Sequence, residues 1–517
     1  MPPLPVLSPR QSAAWDATAV AGGIALATLM ECAGRAAAVV LASRYAHRLR
    51  DGVLIAAGPG HNGGDGWVLA RALHRLELPV WVTAPPGPGA QLREAMAARA
   101  RAEGVREVAP DGPWPSLGLV VDALLGTGAR GAPRPPMAAL LERLLDLDLP
   151  VVAIDGPTGV DLESGIVHGP ARAELSITFG GVRRGHLLAR DEVGAVAVVD
   201  IGHPPPDPTW PVLVTDPQAA EWLRRLRSRD HKGERGRVVV VGGDAGMIGA
   251  VRMAGRAAFA AGAGLVHVVA PPETVAALGQ AEPDLQTFAH ALDQPPTPPL
   301  LELIGRADVL VIGPGLGREP GRRALVAALA GAAKAVVLDA DGLVAFQGAA
   351  GELRPLAAGR PFILTPHPGE FRALFPELAP VRELDPWAAA AAAAEASGAT
   401  VLLKGVPTVV AAVGRPPLTV AAGNPGLATG GSGDVLSGLV GTALAHRLPP
   451  EVAAALGAQA LGRAGDIAAR RSTARAMRPM EVVAALPDLW REWELHRLAP
   501  PLPRPPVLLE LEAPRTV

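Results

Sequence analysis

Short runs of β-branched and aliphatic residues alternate with alanine- and leucine-rich stretches of helical period along the whole chain. In the first half, runs at 53–56, 80–83, 119–121, 151–154, 176–179 and 196–199 predict strands, with helices such as 66–75 and 137–145 between several of them. These strands are apolar throughout, as expected when helices cover both faces of a sheet, so the pattern predicts a doubly wound, mostly parallel sheet. A proline-rich segment at 203–211 breaks the alternation, and a charged, helix-like stretch at 218–229 follows it. The alternation then restarts, with strands predicted at 237–241, 265–269, 309–312, 335–338, 362–365, 401–403 and 408–411. Helices are expected around 434–446 and 452–470. The expected fold class is α/β in two domains: a Rossmann-like, doubly wound domain over 1–217, a linker over 218–230 and a second α/β domain over 231–495. A proline-rich tail, 496–517, is expected to be loosely ordered.

The alanine run 388–394 is the one stretch of low complexity. Asp385 is placed to cap a helix, Pro386 suits its first turn and Gly398 lies just past its end, so the run reads as an ordinary helix.

Composition narrows the class. With 49% apolar and 19% charged residues in 517, large cores can be buried and wholesale disorder is excluded. A net charge of -2 without a long basic run argues against a nucleic-acid or anionic-membrane partner. The lone cysteine, Cys32, excludes an intrachain disulfide and fits a reducing compartment. The first ten residues lack a signal-peptide core, and apolar runs such as 238–241 end in glycine at strand length. A cytoplasmic protein with no membrane span is expected.

Three segments of the first half carry chemistry. Gly58-Pro59-Gly60-His61-Asn62-Gly63-Gly64-Asp65-Gly66 follows one predicted strand and precedes a helix. That places it at the carboxyl end of a parallel strand, where ligands bind, with glycines permitting close backbone approach and helix-start N–H groups facing phosphate. A tight structural turn would look similar. Asp122-Ala123-Leu124-Leu125-Gly126-Thr127-Gly128 and Asp155-Gly156-Pro157-Thr158-Gly159 follow two further strands, although a single aspartate at such a position also caps turns.

This set resembles the YjeF N-terminal family, the NAD(P)H-hydrate epimerases. The family's Asn-Asn-Gly-Gly-Asp-Gly loop matches residues 61–66 except that His61 replaces asparagine. Its Asp-x-x-x-Gly-x-Gly segment matches 122–128, and its Asp-x-Pro-Ser-Gly segment matches 155–159 with Thr158 for serine. Its Leu-Met-Glu-x-Ala-Gly helix matches 29–34, and the resemblance covers about the first 215 residues. It implies that Asn62, Asp122 and Thr158 ligate a potassium ion, an all-oxygen set suited to a hard cation. It further implies that His61, Asn62, Gly63, Gly64 and Asp65, with Gly126, Thr127, Gly128, Ala129, Arg130, Gly131 and Ala132, hold the dinucleotide. Asp155 would contact the hydrated nicotinamide and act as acid/base in interconverting R and S hydrates.

The most informative segment of the second half is Gly423-Asn424-Pro425-Gly426-Leu427-Ala428-Thr429-Gly430-Gly431-Ser432-Gly433-Asp434, which runs into a helix. Glycine-rich backbone before a helix forms an anion hole, and an aspartate there can take a proton from a substrate hydroxyl. The plain alternative is a glycine cap with a first-turn acid favoured by the helix dipole. The segment resembles the ribokinase-like fold and, more narrowly, the YjeF C-terminal family of NAD(P)H-hydrate dehydratases. Further matches are His231-Lys232-Gly233, Gly246-Met247-Ile248-Gly249-Ala250, Gly313-Pro314-Gly315-Leu316-Gly317, Asp339-Ala340-Asp341, Thr365-Pro366-His367-Pro368-Gly369-Glu370 and Leu403-Lys404-Gly405, together covering about 228–490.

The resemblance implies a nucleotide-dependent dehydration with Asp434 as the base that activates the ring hydroxyl. Lys404, Gly405, Val406, Pro407 and Thr408, with Asn424, Thr429, Gly430, Gly431, Ser432 and Gly433, would hold the nucleotide. Ala250, Gly315, Gly317, His367 and Asp434 would meet the hydrated dinucleotide. The implied small molecules are NADHX or NADPHX with ADP or ATP; Mg²⁺ is expected with the nucleotide, and ADP is favoured. Related enzymes often assemble, so a homo-oligomer is expected. His367, between two prolines, also reads as a loop residue, and Glu370 as a helix-start acid. Two other functions compete: a ribokinase-like kinase of a small vitamin alcohol, and a first half that only binds or dimerises.

Overall fold

The computed structural model describes residues 3–500 and 504–514. The chain divides into two compact units, Met1–Trp210 with Leu502–Pro514, and Pro211–Pro501.

The first unit is built on an eight-stranded sheet in the order Val507–Leu511, Ala195–Val199, Leu175–Phe179, Val151–Ile154, Leu119–Ala123, Val53–Ala57, Val80–Thr83, Arg106–Glu107. All neighbours pair in parallel except the first two, which run antiparallel. The chain lays down Val53–Ala57, winds outward on one side, then returns to Leu119–Ala123 and winds outward on the other. That reversal opens a crevice at the carboxyl ends of these two strands. The four central strands, Val53–Ala57, Leu119–Ala123, Val151–Ile154 and Leu175–Phe179, are buried at every position, because helices cover both faces. Helix Leu26–Arg44 is long and apolar enough to cross a membrane by composition alone, in contrast with the sequence expectation; half of that stretch is buried in the core, packed on helix His61–His74.

The second unit repeats the design. Its strands run Gln286–Ala289, Leu265–Ala270, Arg237–Val241, Val309–Ile312, Val336–Leu338, Phe362–Leu364, Thr400–Leu403 in parallel, then Thr408–Ala411 and Leu418–Val420 antiparallel. Here the winding reverses between Arg237–Val241 and Val309–Ile312. Helix Ser432–Ala445, buried along nearly its whole length, packs on these strands. The alanine helix forms as expected over Pro386–Ser397, with the Asp385 carboxylate accepting from the Ala388 N–H at 3.0 Å and Gly398 left-handed at φ 67°.

Three expectations are corrected. The stretch 218–230 is not simply a linker: strand Val212–Leu213 and helix Asp216–Trp222 already belong to the second unit, and Asp216 bonds Arg463 and Gln459 of that unit. The tail is not loose over its described residues. Helix Pro479–Leu498 runs into it, and Val507–Leu511 pairs with Ala195–Val199 as the edge strand of the first unit. Its prolines lie outside the paired residues, so they cost the ladder nothing; tail residues 501–503 and 515–517 lie outside the described set. The helix expected from residue 66 begins at His61. Glycines normally mark a loop, yet Gly64 and Gly66 are inside this helix because it packs closely. A Cβ on Gly64 would lie 2.6 Å from the Met30 sulfur, and one on Gly66 2.8 Å from the Ala123 Cβ. Each helical glycine costs roughly 1 kcal/mol against alanine, which close packing here outweighs.

Candidate active sites

In the first unit the loops after Val53–Ala57, Leu119–Ala123 and Val151–Ile154 converge on a cavity of about 440 Å³. Asp155 faces it from a left-handed backbone conformation, φ 67°, uncommon for a residue with a side chain and a form of strain found at functional positions. Four groups hold its carboxylate. The Thr127 N–H donates to Oδ2 at 2.7 Å and the Thr127 hydroxyl donates to the same oxygen; the Thr178 hydroxyl lies 3.2 Å from Oδ1, and the buried Arg183 guanidinium lies at 3.4 Å. Behind it, His186 accepts the Arg183 N–H at Nδ1 (3.1 Å) and therefore donates from Nε2 to the Asp155 carbonyl at 2.5 Å. Burial pushes this imidazole down to about 4, so it is a neutral positioning group.

Asp122 is buried and satisfied from within: Oδ1 accepts from the Leu124 N–H (3.1 Å) and the Thr158 hydroxyl (2.8 Å), and Oδ2 from the Thr158 N–H (2.7 Å). Asn62 differs, because both its Oδ1 and Nδ2 are buried without a protein partner. A buried unpaired carboxamide is costly and marks a place where a ligand supplies the missing bonds. Gly126 makes the arrangement possible, since a Cβ there would lie 3.1 Å from Asn62 Cγ and 3.2 Å from Asp155 Oδ2.

Of the expected binding residues, His61, Asn62, Asp65 and Gly126, Thr127, Gly128 and Ala129 line the cavity. Gly63 and Gly64 are buried in helix packing instead. Arg130 turns to Asp161 at 2.8 Å and to Glu163, and Gly131 and Ala132 are exposed outside the lining. Burial, then the Asp155 and Asp16 carboxylates, hold Asp65 well above the usual carboxylate range.

Asp16, Arg183 and His203 also line the cavity and escaped the sequence reading. Strand Leu4–Leu7 pairs with Val182–Arg183 and so places Arg183. His203 bonds Asp16 at 2.7 Å and stacks on Trp15 with ring centroids 4.3 Å apart. Only pairing between distant segments brings them together, and no local motif announces it.

In the second unit, Ala250, Gly315 and Gly317 meet at the switch point. A Cβ on Gly315 would lie 2.8 Å from the Met247 Cβ and 3.2 Å from that of Ala250, and both glycines are left-handed, at φ 57° and 78°. The Gly315 carbonyl accepts from the Asp244 N–H at 2.7 Å, and Asp341 accepts from the Gly317 N–H at 3.0 Å. Asp341 therefore ties the loop down.

Asp339 and Lys404 follow the ends of their strands. Lys404 Nζ lies 2.9 Å from Asp339 Oδ1 and 3.6 Å from Glu370 Oε2, and the Ser437 hydroxyl donates to Asp339 Oδ2 at 2.6 Å. Burial works to raise Asp339, but the ammonium and hydroxyl outweigh it and hold the acid below its ordinary value. Asp434 lies in the first turn of helix Ser432–Ala445, after Gly431 at φ 101°. Burial, then Asp339, raise it to about 7; Asp341 and Glu370 add to the rise, and Lys404 opposes it. A carboxyl poised near neutrality can take a proton at working pH.

The rest of the glycine loop is shaped from within. Asn424 Oδ1 accepts from the Gly426 N–H and its Nδ2 donates to Asp466, both at 3.0 Å, and the Thr429 hydroxyl donates to the Gly426 carbonyl at 3.0 Å. Gly430 has open space around its Cα, and a Cβ on Gly433 would lie 3.5 Å from Lys404 Nζ. Gly405, Val406, Pro407 and Thr408 form the turn between two strands, with the Thr408 hydroxyl donating to the Gly405 carbonyl at 3.2 Å. His367 is the N-cap of helix Pro368–Leu374, accepting at Nδ1 while Glu370 accepts from its N–H; its ring remains half exposed. The capping reading of this pair thus holds beside any binding role. Among the described residues, no group of three or more His, Cys, Asp and Glu side chains is spaced to hold a metal.

Residues 26–185 match the family described as YjeF-related protein N-terminus, and residues 238–488 match NAD(P)H-hydrate dehydratase. The chain is 36% identical over 482 residues to the bifunctional NAD(P)H-hydrate repair enzyme Nnr of Escherichia coli, covering 90% of this chain and 89% of that one. It is 35% identical over 482 residues to the Nnr enzyme of Coxiella burnetii, covering 90% and 96%. Among solved structures it is similar to the ADP/ATP-dependent NAD(P)H-hydrate dehydratase of Bacillus subtilis, co-crystallised with ATP and Mg²⁺, at TM-score 0.49 and 24% identity over 54% of this chain and 98% of that one. The chain therefore belongs to the bifunctional NAD(P)H-hydrate repair enzymes, which join an epimerase and a dehydratase in one polypeptide, and the reading as a vitamin-alcohol kinase falls away.

Proposed function

We propose that the first unit epimerises R and S hydrates of NADH and NADPH around Asp155, and that the second dehydrates the S form at Asp434 with ADP, or ATP, as phosphoryl donor. The observation that carries the reading is Asp434. It is held near neutrality at the start of a helix, behind a glycine-lined stretch of amides and beside the Lys404 ammonium.

In the dehydratase half, Asp434 takes the proton of the ring hydroxyl as that oxygen attacks the terminal phosphorus of the nucleotide. The N–H groups of Gly430, Gly431 and Gly433, at the positive end of the helix, balance charge on the transferring group. Phosphate is a far better leaving group than hydroxide. Its departure with the C–O electron pair, and loss of a proton from the neighbouring ring carbon, restore the double bond. Lys404 to Thr408, with Asn424 and Thr429 to Gly433, hold the nucleotide, Asn424 chiefly by shaping the loop. Ala250, Gly315, Gly317 and His367 receive the hydrated dinucleotide. With no all-protein metal group among the described residues, Mg²⁺ would be bound through the nucleotide's phosphates and would neutralise their charge.

In the epimerase half, Asp155 exchanges the proton, with Thr127, Thr178 and Arg183 fixing its oxygens. His61, Asn62 and Asp65 at the helix start, with the loop Gly126 to Ala129, hold the dinucleotide. Asn62 in the first turn of its helix, Asp122 near the end of its strand and Thr158 in the following loop are oxygen donors, one of them lacking any protein partner, and fit a potassium ion, which would supply fixed positive charge. We assign the epimerase to the first unit, including its edge strand Val507–Leu511, and the dehydratase to the second unit from Pro211 on, in a cytoplasmic homo-oligomer. The test is incubation of the protein with mixed R and S hydrates and ADP. Full conversion to NADH is expected, and arrest at about half would overturn the epimerase assignment.

A further inference from the structure

The segment 224–230 and the residues ending helix Ser432–Ala445 enclose a second-unit cavity of about 610 Å³ that the repair chemistry does not use. Its walls carry five guanidiniums, Arg224, Arg225, Arg227, Arg229 and Arg447, against two carboxylates, Asp230 and Glu234. Both acids are engaged: Asp230 accepts from Arg224 at 2.9 Å and from the Arg227 N–H at 3.0 Å, and Glu234 from the His231 N–H at 3.4 Å. Arg225, Arg229 and Arg447 have no ion-pair partner among the described residues, and Arg224 Nη1 is buried without a hydrogen-bond acceptor. The half charge at the carboxyl end of the helix offsets part of this excess, not all of it.

Arg447 adds a separate observation. It follows the helix at φ 66°, the left-handed position where helices favour glycine. A side chain is kept there against backbone preference, and it places a guanidinium in the cavity. Like charges gathered in one concavity repel unless an anion joins them. Guanidiniums match the planar, multi-oxygen geometry of phosphate better than any other side chain does.

We propose that this cavity binds a phosphate or pyrophosphate group, free or carried by a nucleotide, at a site distinct from the reaction centre. Asp434 lies in the first turn of the 14-residue helix and Arg447 just past its end, about 20 Å away along the axis. The site stands independently of the roles assigned above.

The test is calorimetric titration of the full chain with inorganic pyrophosphate, comparing the wild type with Arg225→Glu/Arg229→Glu and with Arg447→Gly. The double variant is expected to lose one binding event, or to weaken it at least tenfold, with dehydratase turnover at saturating ADP within twofold of wild type. Arg447→Gly relieves the backbone, so a raised Tm together with weakened binding would separate binding from stability. A parallel titration with ADP identifies the carrier: a second ADP site lost in the double variant points to a nucleotide, and loss of pyrophosphate binding alone to the free anion. Equal pyrophosphate affinity and stoichiometry in all three proteins overturns the proposal, as does the absence of an anomalous peak among these arginines in crystals soaked with tungstate.

Discussion

Lys404 and Asp339 meet at 2.9 Å after the ends of two strands that flank Phe362–Leu364, 65 residues apart in the chain. Their pair is nearly buried, and it sets the field at Asp434, which Asp339 raises and Lys404 lowers. Replacing Lys404 by methionine removes the opposing charge and leaves Asp339 unpaired. Stability is expected to fall by about 3–5 kcal/mol, the usual cost of breaking a buried pair from one side. The alkaline shift of Asp434 should grow, so the acid limb of the dehydratase pH–rate profile moves to higher pH. Denaturant unfolding and kcat/KM against pH check the two effects; an unmoved limb would disconnect Lys404 from the base.

Asp434→Asn should reduce dehydratase turnover by roughly 10²–10⁴, the usual contribution of general base catalysis, and leave epimerisation intact. The sign of its stability effect follows from the raised value. The folded protein keeps a proton here between the ordinary 3.8 and about 7 that the unfolded chain has released. Stability from this site is therefore present at low pH and declines as pH rises to about 7. Asparagine removes the cost of the buried charge, so the variant should have a higher Tm than wild type at pH 8, with the gap closing towards pH 5. A lower Tm at pH 8 would contradict a buried, raised Asp434.

The alternation of elements, the two sheets and the loops at strand ends were all legible in the chain, because parallel strands covered on both faces write continuous apolar runs. Asp385, Pro386 and Gly398 marked the alanine helix correctly for the same local reason. Contacts between distant segments were not legible. Arg183 reaches Asp155 through pairing with Leu4–Leu7, and His203 meets Asp16 across 187 residues. Gly64 misled because a glycine required by helix packing reads like a glycine required by a loop. The tail misled because five residues of strand were hidden among prolines.

Asp155→Asn tests the epimerase centre with little disturbance, since asparagine tolerates the left-handed backbone at this position. Interconversion of R and S hydrates should fall by roughly 10² or more, while ADP-dependent dehydration of pure S hydrate stays near normal. Separate assays of the two steps decide it, and unchanged R-to-S conversion would remove Asp155 from the mechanism.

Exchanging potassium for a bulky organic cation should slow epimerisation and spare the Asp434 chemistry. Asn62→Ala removes the unpartnered carboxamide, so the potassium concentration giving half-maximal epimerase rate should rise at least tenfold. A titration unchanged in the variant would place the cation elsewhere.

Deleting residues 504–517 should damage the half of the protein that lies far from them in sequence. Val507–Leu511 pairs with Ala195–Val199, a strand buried at all five positions, and Arg44 bonds Glu510 at 3.3 Å. Without the tail, that apolar strand becomes an exposed edge, a template for aggregation. The Trp490 and Trp493 pair and the helix Pro479–Leu498 that carries it remain, so the second unit keeps its core. The expected outcome is a lower melting transition for the first unit, loss of epimerase activity on warming and concentration-dependent aggregation, with dehydratase activity on S hydrate retained. Calorimetry and the two separate assays on the truncated protein give the result; parallel loss of both activities would show that the strand does not act on the first unit alone.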